Sequence, residues 1–112
     1  MKLTKRKALE ITRELWTWLA ETGGPWKGDW PGWAVYGKME HDCPCCEYDW
    51  RAKGVLCSRC PLYPRGDPNY AYMCSLPGEP YKRWSEEVSI KGRQDQAQQM
   101  VDLCNARLEK MK

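Results

Sequence analysis

The spacing Cys43-x-x-Cys46, ten residues, then Cys57-x-x-Cys60 constrains this chain more than any other feature of its sequence. A two-residue gap lets one tight turn aim both sulfurs at a single point, and two such turns supply the four thiolates that tetrahedral zinc takes. The ten residues between the pairs can close as a short β-hairpin or a loop that sets the second pair opposite the first. The spacing therefore predicts a structural zinc ion held by Cys43, Cys46, Cys57 and Cys60, with Cys74 and His41 as reserve ligands. Cys45, inside the first pair, is expected to point away from the metal, and Cys104 falls in a helical pattern and reads as core. Two other readings stay open. The pairs can be reduced cysteines packed in a small core, or they can serve redox chemistry. A redox motif wants a Cys-x-x-Cys at the start of a helix after a strand, a context this sequence does not display.

The compartment follows from the same residues. Seven cysteines is an odd number, and the basic start Met1-Lys2-Leu3-Thr4-Lys5-Arg6-Lys7 is followed by no apolar stretch of the secretory kind. Both points argue against a disulfide framework and for a reducing cytoplasm. Four thiolates around a dication carry a net charge of about −2, which nearby cations should offset. Lys38, Arg51, Lys53 and Arg59 are the expected ones, with Glu40, Asp42, Glu47 and Asp49 turned to solvent.

Either side of the cysteines the pattern is helical. Over residues 5–22, Ala8, Ile11, Leu15, Trp18 and Leu19 recur at helical spacing, widened by Leu9 and Trp16; Thr4 is a suitable N-cap and Gly23-Gly24-Pro25 a clear stop. Over residues 93–111, Ala97, Met100, Val101, Cys104, Leu108 and Met111 share one face. Residues 85–91 read as an additional turn capped by Ser85, with Gly92 as the break, so the second helical region spans 85–111. Residues 23–40 form a Gly/Pro/Trp-rich loop in which Val35 and Tyr36 can start a short strand. Residues 41–78 form the cysteine-rich zinc region, broken into turns by Pro44, Pro61, Pro64, Pro68 and Pro77. The 112 residues amount to a single domain. The predicted fold is small and mainly α: two antiparallel terminal helices with a zinc-stapled, loop-rich centre. A core this small gains from a metal, since structural zinc contributes about 10–16 kcal/mol of apparent binding energy that is also folding energy.

Several classes are set aside. No apolar run nears the roughly 18 residues of a membrane span. His41 is the one histidine, so most His-dependent catalysis is excluded. There is no H-E-x-x-H, P-loop or G-x-G-x-x-G motif, and His41-Asp42-Cys43 is not the H-x-E of zinc deaminases. A four-cysteine zinc site is closed, with no open coordination position. The chain is therefore not expected to be an enzyme.

The segments Cys43-Pro44-Cys45-Cys46-Glu47-Tyr48, Cys57-Ser58-Arg59-Cys60-Pro61-Leu62, Cys74 and Pro80-Tyr81-Lys82-Arg83-Trp84, followed by the helix from Ala97 to Leu108, resemble a set of small cysteine-rich proteins encoded by bacterial viruses and prophages. Their pattern is Cys-Pro-x-Cys, Cys-x-x-Cys-Pro, a later Cys, then Pro-Tyr-x-x-Trp and a closing helix. The likeness spans about residues 41–110. The chain departs from the pattern at Cys45 and in the Trp-rich segment before it. The resemblance implies a viral accessory protein in the cytoplasm of a bacterial host and defines no activity. By analogy with viral proteins of this size, it implies counter-defence by binding, through inhibition of a host protein or capture of a nucleotide-like signal.

The residues offer their own support for binding. Trp26, Lys27, Trp30, Trp33 and Tyr36 place flat rings and a cation on a Gly/Pro frame, suited to stacking on a base or filling a partner's pocket. Against this, a chain with 7 Trp and no Phe must fill its core with large rings. The alternative function is a zinc-ribbon-like nucleic-acid binder, supported by the cysteine pairs and Lys5-Arg6-Lys7. It is opposed by a net charge of only +3 and by as many acids as bases near the metal. A structural or assembly subunit is a third class.

Overall fold

The computed structural model of the chain describes residues 2–37, 39–53, 59–63 and 78–111, and Lys38, Cys57 and Cys74 lie outside them. The described residues are mainly helical and contain no strand: α1 (Lys5–Thr22), a 3-10 turn (Lys27–Asp29), α2 (Trp33–Tyr36), α3 (Pro44–Arg51), α4 (Pro80–Glu86) and α5 (Ile90–Glu109).

The ends of α1 follow from their residues. Thr4 has extended backbone, and its hydroxyl accepts the Lys7 N–H, one of the donors a helix start leaves unpaired. Gly23 adopts φ 70° and returns its N–H to the Leu19 carbonyl at 2.9 Å. A Cβ there would also lie 2.4 Å from Ile90 Cγ2, so glycine lets α5 approach. Between these caps Ala8, Leu9, Ile11, Thr12, Leu15, Trp16 and Leu19 are buried.

That stripe packs mainly on α5, which contributes Ala97, Met100, Val101, Cys104 and Leu108. Hydrogen bonds tie opposite ends of the two helices. Arg6 donates to the Met111 carbonyl just past α5, while Arg93 and Gln94 in the first turns of α5 donate to the carbonyls of Gly23 and Glu21. Met111 itself is exposed. The helix α3 packs on α1, and α4 on α5. Trp84 of α4 meets Trp16 edge to face, with ring centroids 4.9 Å apart, and large rings fill space that a phenylalanine would otherwise take.

Three local expectations change. The helix α5 begins at Ile90 because Ser89, in extended backbone, accepts the Gly92 N–H at 2.9 Å; Gly92 lies inside the first turn and does not break it. Ser85 caps nothing. It sits within α4, which Pro80 opens, and its hydroxyl donates to the Lys82 carbonyl. Val35 and Tyr36 are helical rather than extended, because Pro31-Gly32 starts a turn whose Tyr36 N–H reaches the Gly32 carbonyl. In the cysteine region, the stretch expected as hairpin or loop opens instead as α3, with Cys43 as N-cap and Pro44 in the first turn. No helix among the described residues is long and apolar enough to cross a membrane.

Candidate functional site: a cysteine cluster beside an aromatic cleft

The start of α3 sets the cysteine geometry. Cys43 keeps extended backbone while its carbonyl accepts the Glu47 N–H, and the helix turn that follows swings Cys45 inward onto α1. There Cys45 is fully buried, with Sγ 3.3 Å from Thr12 Oγ1. Hydrogen bonds from Cys45 and Cys46, helped by the Lys27 charge, hold the Cys43 thiol well below its ordinary range despite burial. A bond from Cys45 lowers Cys60 in turn. Burial, followed by donation to Cys43 and Cys60, pushes Cys45 up, so it stays a thiol. Cys45 thus stands between one sulfur from each Cys-x-x-Cys pair and does not point away from them. Burial, with the charges on Cys43 and Cys60, pushes Cys104 up to about 12, consistent with a core thiol.

Cys43 and Cys60, one sulfur from each pair and each with a lowered thiol pKa, have the donor chemistry that zinc takes. Among the described residues, however, no three His, Cys, Asp or Glu side chains are arranged to hold a metal ion, and Cys57 is not one of those residues. His41 has its Nδ1 3.2 Å from Glu47 Oε1, which engages that nitrogen elsewhere.

Two acids expected in solvent are buried. Glu47 accepts the His41 N–H and the Arg51 Nε–H, and Asp49 accepts the Arg59 N–H at 2.6 Å. A loop-rich segment leaves backbone donors that no ladder satisfies, and these carboxylates take them. The cation beside the cysteines also differs from expectation. Arg51 is paired with Glu47, and Lys53 and Arg59 are exposed; among the described residues the buried cation is Lys27. Its ammonium lies 3.0 Å from Asp42 Oδ1 and 4.5 Å above the Tyr81 ring. Burial works to lower the Lys27 pKa, and the negative charge at Cys43 and then the Tyr81 and Asp42 contributions outweigh it, leaving it raised.

Lys27 also floors a cleft of about 380 Å³ lined by Trp26, Asp42, Tyr81, Trp84 and Arg93 among others. Trp26 is 69% exposed at its edge. Tyr81 and Trp84 stack behind it with centroids 6.0 Å apart, and the buried Trp84 Nε1–H has no hydrogen-bond partner among the described residues.

The other aromatic residues of the loop do not join this surface. Trp30 is buried, meets Trp33 edge to face and stacks on Tyr36. Gly32 is required beneath it, since a Cβ would fall 2.2 Å from the Trp30 ring. Trp33 donates its Nε1–H to the Lys27 carbonyl, and the Tyr36 hydroxyl donates to Glu14. Of the five residues expected to form one recognition face, Trp26 and Lys27 line the cleft, while Trp30 and Tyr36 lie beside α1 and Trp33 ties the loop back on itself through the Lys27 carbonyl.

No protein-family model matches the chain, nor does any curated protein or solved structure.

The cleft walls that sequence reading missed are Tyr81, Trp84 and Arg93. A signal for the first two was present: Pro80-Tyr81-Lys82-Arg83-Trp84 has a proline suited to a first helical turn and two rings three residues apart, on one helix face.

Proposed function

We propose that this chain is a small zinc-binding accessory protein that acts by non-catalytic binding through the cleft beside Trp26. The observation that carries the reading is an exposed tryptophan at the mouth of a cleft backed by Tyr81 and Trp84. Trp26 stands at the start of the 3-10 turn, with its carbonyl accepting the Asp29 N–H, so the backbone that carries the ring is already ordered when a partner covers it. In this reading zinc, held by Cys43, Cys46, Cys57 and Cys60, ties the start of α3, next to Asp42, to the second cysteine pair, and α3 packs on α1 of the antiparallel α1–α5 pair. Counter-defence in a bacterial host is the biological role we assign, on the motif resemblance.

The test compares the chain with Trp26→Ala, both purified from expressing bacterial cells. The wild type should retain a protein or nucleotide that the variant loses, at equal zinc content. Equal retention by both contradicts the reading.

One observation favours a second reading. Cys43 stands at the N-terminus of α3 in a Cys-Pro-x-Cys, a position that favours a reactive thiolate. Cys43 and Cys46 would then close a disulfide, passing two electrons and two protons to a small-molecule disulfide. Thiols that become reactive only on chelation mark zinc; thiols that appear only on reduction mark the disulfide. Nucleic-acid binding has lost part of its support, because Arg6 bonds the Met111 carbonyl and Lys7 sits over the Tyr36 ring.

A further inference from the structure

We propose that the exposed surface at the end of α3, carrying Trp50, Lys53 and Arg59, binds a single strand of nucleic acid, with a base stacked on the Trp50 ring and phosphates on the two cations. This surface is separate from the Trp26 cleft, and from Lys5-Arg6-Lys7.

The charges beside the cysteines are balanced along the sequence, which opposes a phosphate ligand, but the fold sorts them. Glu47 is buried against the His41 N–H and the Arg51 Nε–H, and Asp49 is buried against the Arg59 N–H. Asp42 is paired with Lys27 at 3.0 Å. Three of the four acids are thus spent inside the protein, and Glu40, next to His41, is the fourth. Lys53 and Arg59 are exposed, and neither side chain has a partner among the described residues. Neutralising phosphates is what two such cations can do for a ligand.

The ring supplies the second half of the site. Trp50 is 56% exposed, although α3 packs on α1 through its other side. Its ring neighbour among the described residues is His41, with centroids 5.8 Å apart and planes tilted by 55°, so the imidazole does not lie flat over the indole. Both cations are fixed to the same helix end. Lys53, at φ 59°, turns the chain there and donates its N–H to the Trp50 carbonyl at 3.1 Å, and the Arg59 N–H reaches Asp49 at 2.6 Å. An exposed indole flanked by cations is a stacking platform that every base can use. In a duplex the base faces cover one another, so the ring selects an unpaired strand. An acidic peptide would meet the cations and leave the ring unused.

The experiment titrates the full chain, as purified, into labelled oligothymidylate of about 15 nucleotides, followed by fluorescence anisotropy across a salt series. Affinity should fall with salt at a logarithmic slope of about −1.4, or about 0.7 for each of two phosphates. Trp50→Ala should weaken binding about tenfold. Lys53→Asn, which suits the left-handed backbone, and Arg59→Gln, which keeps the N–H to Asp49, should each reduce the slope by about half. These two substitutions carry the test should Trp50→Ala lose its helicity. Trp26→Ala should change nothing. A duplex of the same length or polyglutamate bound as tightly as the strand overturns the inference, as does the absence of strand binding at low salt. Strand binding lost in Trp26→Ala but kept in Trp50→Ala also overturns it, and leaves the cleft reading standing.

Discussion

Replacing Glu47 by glutamine should destabilise the fold while leaving its shape almost unchanged. Glu47 is buried, with one carboxylate oxygen 3.0 Å from the His41 backbone N and the other 2.8 Å from Arg51 Nε. Glutamine can still accept the His41 N–H through its one oxygen, but its NH2 group then faces the Arg51 donor. One charge-assisted hydrogen bond is lost, worth about 2 kcal/mol. Glu47→Ala removes both acceptors, leaves the part-buried His41 N–H without its carboxylate and empties the space of a buried side chain, at about 3 kcal/mol. At roughly 4 °C per kcal/mol for a domain of this size, the melting temperature should fall by about 8 °C for glutamine and further for alanine. The assay is thermal unfolding by circular dichroism on samples of equal metal content. A glutamine variant melting within about 2 °C of wild type refutes the reasoning, since that is the range expected of an exposed surface acid.

Trp30→Ala should cost about 3–5 kcal/mol as a core truncation, whereas Trp26→Ala should stay within about 0.5 kcal/mol; denaturant unfolding compares them. Tyr36 is held above its ordinary 10.0, first by its bond to Glu14, so that bond is in place below the ordinary tyrosine range and is lost as pH rises through the raised value. In ultraviolet titration, Glu14→Gln should bring one tyrosine midpoint back down; an unchanged curve counts against the bond. Cys104, pushed up to about 12 chiefly by burial, should resist alkylation in the native chain and react only after denaturation, as peptide mapping would show.

The helical frame was legible because its signals are local. Thr4, Gly23 and the α1 stripe are read from neighbours along the chain, and the structure starts and ends α1 with those residues. The face of α5 was legible for the same reason, while its start was not. Ser89 and Gly92 form a cap whose geometry depends on where Glu87 folds, and a glycine read alone looks like a break. The cysteine region was the least legible part. Cys45 turns inward only because Pro44 opens a helix packed on Thr12, and Glu47 and Asp49 are buried only because loop backbone offers them donors. Lys27 was singled out as a cation of the recognition loop. Its partners Asp42 and Tyr81 lie 15 and 54 residues away in sequence, so their pairing is set by tertiary packing rather than by local pattern.

Intact mass under native conditions, on protein purified without chelator, tests the zinc-stapled binding module most directly. The account predicts one zinc ion per chain, which leaves on chelation or denaturation to give a chain with all seven cysteines reduced. A metal-free native chain, or one lighter by the two hydrogens of a disulfide, contradicts it.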